Sequence, residues 1–175
     1  MVHDDLGQSL QAKPLLGALQ RHGVDFVVVG GIAGLAQGSS YPTFDLDVAY
    51  ARDQANLQRL VDALTEIGVS LRNAPPDLPF QPDAQTLASG ANFTFDTKFG
   101  SIDVLGEVEG IKDYEELRAH AQCKRIAGVD VRVASLDHLI SMKRAANRVK
   151  DQLMVTEYVE LANERRRREE EDAER

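Results

Sequence analysis

The pattern of apolar and polar positions divides the chain into helices and strands in mixed order. Apolar side chains recur at helical spacing in residues 6–21, 53–67 and 135–146, whereas residues 26–29 form a short, wholly apolar run. A period of about 3.6 residues is typical of a helix with one buried side, and a short apolar run is typical of a strand buried on both faces. The chain therefore combines both kinds of element.

Residues 41–50 predict a second strand, because apolar and polar side chains alternate along it. Leu46 and Val48 point to one face, and Asp45 and Asp47 point to the other. Shorter strands are predicted at 69–71, 93–96, 101–105, 124–126 and 129–133, and further helices at 32–37, 114–121 and 151–164. This order predicts a single α/β domain of the α+β type, with a mixed, twisted sheet and flanking helices.

Two segments differ from the rest in composition. Residues 73–85 hold four of the six prolines, which predicts an ordered loop, and we expect this loop to flank the functional cleft. Residues 164–175 contain almost only charged side chains and predict a solvated helix end or tail. We therefore divide the chain into a domain at 1–162 and a charged C-terminal segment at 163–175.

Composition and charge narrow the classes of function. The net charge of −8 argues against an extended nucleic-acid surface, but it leaves a small nucleic-acid end as a substrate. Cys123 is the single cysteine, which excludes an internal disulfide and fits a reducing compartment. The sequence has no signal-peptide pattern and no apolar run of the ~18 residues that a membrane span needs, so we expect a cytoplasmic protein.

The most informative chemical feature is the pair Asp45 and Asp47. Two carboxylates ~7 Å apart on one strand face repel by roughly 2 kcal/mol at an effective dielectric of 20, and a divalent cation would turn that repulsion into attraction. The alternative is an edge strand whose outer face happens to carry two aspartates. Asp103 stands between Ile102 and Val104 on a later strand. If the two strands pair, three carboxylates meet on one face, as in metal sites for phosphoryl transfer.

Two further features suit an anionic ligand. Gly30 and Gly31 lie between a buried strand and a short helix, where backbone N–H groups are free to approach a phosphate, although an ordinary strand-to-helix turn has the same pattern. Lys143 lies on the apolar stripe of its predicted helix, so it either extends to solvent or points into a cleft. Arg148 and Asp151 are spaced for an ion pair.

These residues resemble the nucleotidyltransferase superfamily that shares the DNA polymerase beta-type catalytic fold. The matching pattern is Gly30-Gly31, Gly38-Ser39, Thr43-x-Asp45-Leu46-Asp47 and then Asp103 on a later strand. Residues 133–140 and 143–151 look like the C-terminal signature of small bacterial nucleotidyltransferase-like proteins related to abortive-infection toxins. The resemblance covers about residues 15 to 160.

The resemblance implies transfer of a nucleoside monophosphate from a nucleoside triphosphate such as ATP, with release of pyrophosphate. Asp45, Asp47 and Asp103 would hold Mg²⁺ or Mn²⁺, and Asp103 would also help to deprotonate the acceptor hydroxyl. The nucleotide would be bound by Gly30, Gly31, Ser39 and Lys143. The acceptor would be an RNA end such as that of tRNA, a protein or a small molecule, and the family resemblance adds a toxin–antitoxin partner.

The chain departs from the family pattern at three positions. Many relatives have arginine where Tyr41 stands and histidine where Gln37 stands, and some have an acidic residue where Met154 stands. These changes keep open a second hypothesis, a catalytically weak or inactive binding module with the same fold. A third, a Rossmann-type oxidoreductase, is disfavoured because Gly30-Gly31-Ile32-Ala33-Gly34 lacks the Gly-x-Gly-x-x-Gly fingerprint and an Asp-x-Asp pair stands in place of one ribose-binding acid.

Overall fold

The computed structural model describes residues 9–75, 77–89 and 91–175, in which seven strands form one mixed sheet in the order β3-β4-β5-β2-β1-β7-β6. The strands are β1 (Phe26–Val29), β2 (Asp45–Tyr50), β3 (Ser70–Leu71), β4 (Asn92–Thr97), β5 (Gly100–Leu105), β6 (Gln122–Ile126) and β7 (Val129–Val133). The predicted fold class, a mixed sheet with flanking helices, is confirmed. The strand predicted over 41–50 begins only at Asp45.

Helices connect and flank the strands. They are α1 (Ala12–Arg21), α2 (Gly30–Ala36), α3 (Gln54–Ile67), α4 (Ala84–Ala88), α5 (Tyr114–Ala119), α6 (Leu136–Ala146) and α7 (Val149–Ala173). Local capping explains several boundaries. The Asn56 N–H donates to Asp53 where α3 begins, the His138 N–H donates to Ser135 where α6 begins, and Gly68 ends α3 with φ +68°.

Two predicted segments differ from the observed helices. The first predicted helix, over 6–21, begins only at Ala12 in α1, and residues 6–8 of that prediction lie outside the described residues. The last helix, predicted over 151–164, is longer and runs from Val149 to Ala173, so the expected domain boundary after residue 162 falls inside α7. The charged segment is thus a helix end whose side chains are exposed apart from the half-buried Arg165.

The strand order brings β2 and β5 side by side although they are far apart in sequence. These two strands are parallel, β1 is antiparallel to β2, and β4 pairs with β5 as an antiparallel hairpin. A parallel pair cannot be joined by a tight turn, so α3, β3 and the long segment up to β4 form the crossover between β2 and β5.

The apolar face of the sheet and the helices form one continuous core. Leu46, Val48, Ile102, Val104 and Phe95 are fully buried on the same face of β2, β5 and β4. Leucines of α1 and α3 belong to the same buried cluster. The alternating residues of these strands therefore point to the opposite, polar face. None of the helices in the described part of the chain combines the length and the apolar character that a membrane crossing requires.

Helix α7 packs closely against α2. The fully buried ring of Tyr158 reaches Gly34, and a Cβ atom added at Gly34 would overlap the Tyr158 hydroxyl. The same two helices are joined by Arg165, which donates to the side-chain and main-chain oxygens of Gln37 at 2.6 and 2.8 Å. Glycine at position 34 is thus what allows the long C-terminal helix to approach the sheet domain.

Gly34→Ala should lower the free energy of unfolding by about 1–3 kcal/mol, because the added methyl group forces Tyr158 out of its buried position. Gly17→Ala is the matched control in α1, where the added Cβ would meet only the far end of the Arg21 side chain. That control should gain up to about 1 kcal/mol from helix propensity. Urea unfolding measures both variants, and equal stabilities would contradict the proposed packing of Tyr158.

Candidate active site

The polar face of the sheet carries the three aspartates singled out in the sequence. Asp47 of β2 lies directly opposite Asp103 of β5, and Asp45 lies opposite Ser101. Since side chains alternate along strands and these positions are in register, the three carboxylates share one face. The pairing of β2 with β5 therefore places Asp103 on the same face as Asp45 and Asp47, as the sequence predicted.

Burial and mutual repulsion disturb the ionisation of two of these carboxylates. Burial, reinforced by the negative charges of Asp103 and Asp45, raises the pKa of Asp47 to about 7. Hydrogen bonding between the two side chains also raises the pKa of Asp47 and lowers that of Asp103. Burial also raises the pKa of Asp103, and the nearby Arg72 guanidinium partly offsets this increase. The pair thus holds a proton more tightly than two isolated aspartates do.

A cation missed by the sequence analysis, Arg72, lies across this face. Its guanidinium is 3.2 Å from Asp96, 3.3 Å from Asp103 and 3.8 Å from Asp45. Arg72 follows β3 directly, and its N–H donates to the Thr94 carbonyl at 3.1 Å. The available signal was the alternation around this segment, because Arg72 follows the inward-facing Leu71 and therefore belongs to the polar face.

Gly30 and Gly31 border the carboxylates at the end of β1. Gly30 has φ +65°, and a Cβ atom there would overlap the Asp47 carboxylate. A Cβ atom at Gly31 would lie 2.5 Å from the Thr43 hydroxyl oxygen. The two glycines are therefore required by the close approach of the α2 N-terminus to β2, whether or not a phosphate also binds there.

On the opposite side, Lys143 forms a buried ion pair. Its ammonium group donates to Asp151 at 3.0 Å, and the Arg148 guanidinium donates to the other oxygen of Asp151 at 2.7 Å. The Asp151 side chain is fully buried. Burial raises the pKa of Asp151, but the hydrogen bonds from Arg148 and Lys143 lower it by more. The net shift of the pKa is therefore downward. The predicted pair of Arg148 and Asp151 is confirmed, with Lys143 as its third member.

Most of these groups, but neither Arg72 nor Asp151, line one cleft of about 590 Å³. Of the predicted site residues, it brings together Gly30, Gly31, Asp45, Asp47, Asp103 and Lys143. Lys150 and Arg148 add positive charge beside Lys143, and Glu107 and Glu109 line another part of the wall. The volume is within the range of small-molecule sites, and both signs of charge reach its surface.

Ser39 is the predicted site residue that the cleft does not include among its described lining residues. Its hydroxyl accepts from the Tyr41 N–H at 3.2 Å, and the residue is buried. Gln37 is also buried and donates to the Ala134 carbonyl at 2.8 Å. Ser39 and Gln37 thus stabilise the chain between α2 and β2, whereas Tyr41 itself lines the cleft.

The proline-rich segment does not flank the cleft as expected. None of its described residues, 73–75 and 77–85, lines the cleft. Instead, the ring of Phe80 packs on Phe95 with centroids 5.5 Å apart, and Phe95 belongs to the apolar face of the sheet. The segment therefore covers the core side of β4, because its aromatic side chain is more stable against apolar neighbours than beside the carboxylates.

The chemistry of the cleft fits a hard divalent cation. Asp45, Asp47 and Asp103 offer carboxylate oxygens, the donor type that Mg²⁺ and Mn²⁺ prefer, on a face with excess negative charge. Among the described residues, however, no three acidic, histidine or cysteine side chains are already gathered closely enough to hold a metal. Arg72 stands between Asp45 and Asp103 instead.

Comparison with known proteins shows the fold. No protein-family model matches the sequence, and no curated protein matches it significantly. A Thermotoga maritima protein assigned as a nucleotidyltransferase, TM1012, is similar with a TM-score of 0.56 at 14% identity, over 91% of this chain and 99% of that chain.

Two antibiotic-resistance proteins are similar in the same way. For the lincomycin-bound lincosamide antibiotic adenylyltransferase LnuA, the TM-score is 0.57 at 11% identity, over 88% of this chain and 99% of that one. For the solution structure of the antibiotic-resistance factor ANT(2'')-Ia, the TM-score is 0.52 at 15% identity, over 93% of this chain and 92% of that one. The chain therefore has the nucleotidyltransferase fold that the sequence resemblance implied.

The contact between Gly30 and Asp47 predicts a specific cost of substitution. Gly30→Ala and Gly68→Ala both introduce a side chain at positive φ, which costs about 1 kcal/mol. An added Cβ at Gly68 has nothing within 4 Å, whereas one at Gly30 overlaps Asp47. Gly30→Ala should therefore lose about 1–3 kcal/mol more than Gly68→Ala in urea unfolding. Equal losses would mean that Asp47 moves away freely.

Asp47→Asn should stabilise the metal-free protein, because it removes a buried charge next to two other carboxylates. A carboxyl whose folded-state pKa is raised binds its proton more tightly in the folded state, so stability falls as pH rises from about 4 to about 7. At pH 8 in a chelator, we expect the variant to gain about 2 kcal/mol, and at pH 4 almost nothing.

The exposed Asp172 near the end of α7 supplies the control for this measurement, and Asp172→Asn should leave the free energy of unfolding unchanged at both pH values. Thermal unfolding followed by circular dichroism gives the comparison. A loss of stability in Asp47→Asn at pH 8 would contradict the repulsion described for the carboxylate face.

Proposed function

We propose that the chain is a metal-dependent nucleotidyltransferase that transfers a nucleoside monophosphate from a nucleoside triphosphate to an acceptor hydroxyl in the cytoplasm. The observation that carries this proposal is the register of β2 and β5, which joins Asp47 and Asp103 on the face that also bears Asp45. The fold shared with nucleotidyltransferases supports the same reaction class.

The distribution of charge in the cleft supports a triphosphate on the side of α6 and α7. Lys143, Arg148 and Lys150 line that side, and Asp151 holds Lys143 in position. Cations attract phosphate oxygens, and a side chain already fixed by an ion pair loses little freedom when the ligand binds. Gly30 and Gly31 line the cleft between this side and the carboxylates.

In the proposed reaction, the acceptor oxygen forms a bond to the α-phosphorus while the bond from that phosphorus to the bridging oxygen breaks. Pyrophosphate leaves, and the acceptor proton passes to the Asp103 carboxylate. Bound Mg²⁺ or Mn²⁺ would neutralise the developing charge on the phosphates, held by Asp45, Asp47 and Asp103. The cationic side chains beside Lys143 orient the pyrophosphate as it departs.

The proposal also extends to the identity of the nucleotide and of the acceptor. ATP is the first nucleotide to test, because LnuA is an adenylyltransferase. LnuA is bound to lincomycin, which supports a small molecule as acceptor, and the RNA ends and proteins implied by the sequence resemblance are the other two classes. A role in a toxin–antitoxin or phage-defence system is the cellular context we propose for an RNA or protein acceptor.

Incubation with α-labelled nucleoside triphosphates, Mg²⁺ and separate pools of tRNA, protein and small hydroxyl compounds should label one pool. Asp45→Asn should reduce the initial rate by at least about 100-fold, because the ligand set of the cation is broken. Asp172→Asn should label at the wild-type rate. Nucleotide binding without label in any pool would favour the alternative, a binding module, and equal rates for wild type and Asp45→Asn would contradict the proposed site.

A further inference from the structure

Arg72 contacts carboxylates from three neighbouring strands of the sheet. Its Nε atom is 3.2 Å from Asp96 on β4, and its Nη2 atom is 3.3 Å from Asp103 on β5 and 3.8 Å from Asp45 on β2. The side chain is only 27% exposed. Two of these three partners, Asp45 and Asp103, are residues to which the proposed function gives a metal ion.

The guanidinium and a divalent cation compete for the same oxygens. The guanidinium donates to Asp103 Oδ1 and forms an ion pair with Asp45 Oδ1, so its positive charge weakens the attraction of these oxygens for a metal ion. Two cations held by one pair of carboxylates also repel each other in a partly buried site. The contacts of Arg72 with Asp45 and Asp103 therefore oppose the binding of a metal ion at those two residues.

Asp96 provides a place for Arg72 when the other contacts break. This carboxylate accepts from Arg72 Nε and from the Ser101 hydroxyl at 2.8 Å, and it is not among the proposed metal ligands. Because the Asp96 contact is made by Nε and the other two by Nη2, the terminal part of the guanidinium can turn away from Asp45 and Asp103 while the Nε contact remains. The required change is a side-chain rotation.

We propose that Arg72 is a resident counter-ion of the carboxylate site, which a divalent cation displaces from Asp45 and Asp103 and which Asp96 then retains. This inference rests on the proposed function, and it adds a residue that sets the metal affinity. In the metal-free protein, Arg72 offsets the repulsion between carboxylates. Metal binding must replace the contacts of Arg72 with Asp45 and Asp103. The free energy of those contacts is therefore subtracted from the free energy of metal binding, which lowers the observed affinity.

Titration of the full chain with Mn²⁺, followed by the electron paramagnetic resonance signal of the free ion, tests this competition. Arg72→Gln should bind Mn²⁺ about tenfold more tightly than the wild type, because no guanidinium has to be displaced. Arg52→Gln is the matched control. Arg52 lines the neighbouring cavity, 3.7 Å from the Glu107 carboxylate. The substitution therefore removes a nearby positive charge without changing a contact of the aspartates. It should change the affinity much less.

Thermal unfolding of the same variants separates displacement from a purely structural role. In a chelator, Arg72→Gln should melt at a lower temperature than the wild type, and saturating Mn²⁺ should remove most of that difference. A variant that loses the same stability with and without Mn²⁺, with unchanged Mn²⁺ affinity, would overturn the proposal. Equal tightening in Arg52→Gln would overturn it too, because the effect would then be one of net charge.

Failure of this inference is distinguishable from failure of the proposed function. If the wild type binds Mn²⁺ and labels an acceptor but Arg72→Gln binds no more tightly, only the role of Arg72 is wrong. If neither the wild type nor Arg72→Gln binds Mn²⁺ at millimolar concentrations, the metal dependence of the proposed function is wrong, and the inference about Arg72 is overturned with it.

Discussion

The repulsion between carboxylates on one face of the sheet is the constraint on which the rest of the site depends. Parallel pairing of β2 with β5 makes Asp47 and Asp103 direct neighbours. The apolar residues that flank each aspartate along its own strand are fully buried in the core. The core therefore determines the orientation of both strands, and the carboxylates cannot separate without a loss of packing. Folding energy from the apolar face keeps like charges together on the polar face.

Cationic side chains respond to this charge from two directions. Arg72 contacts Asp45 and Asp103 from the β3 side, and Lys143 lies across the cleft with its own partner, Asp151. The difference between them is physical. Lys143 and Arg148 share a fully buried aspartate, so they are tied to the α6–α7 junction, whereas Arg72 is bound to the very groups that the proposed reaction uses. Lys143 and Arg148 thus stabilise the α6–α7 side of the cleft, whereas Arg72 offsets the repulsion between the carboxylates.

The likeness to nucleotidyltransferases and the site chemistry contribute different parts of the functional argument. The compared structures share 11–15% identity with this chain, a range in which fold is shared but activity is not established by similarity. What connects the fold to a reaction is the set of side chains in the cleft. Gln37 and Ser39 show the limit of motif transfer, because both stabilise the segment between α2 and β2 and the described cleft lining includes neither.

Local sequence determined much of this structure, since alternation and capping act between residues that are close along the chain. The two faces of β2 and β5, the capping of α3 and α6, and the pair of Arg148 and Asp151 follow from spacings of two to four residues. The tertiary structure alone decided that β2 pairs with β5, that Arg72 reaches Asp45 and Asp103 from 27 and 31 residues away, and that the proline-rich segment covers the core. Such contacts depend on which strands become neighbours, and strand order is set by the packing of the whole core, which no local pattern specifies.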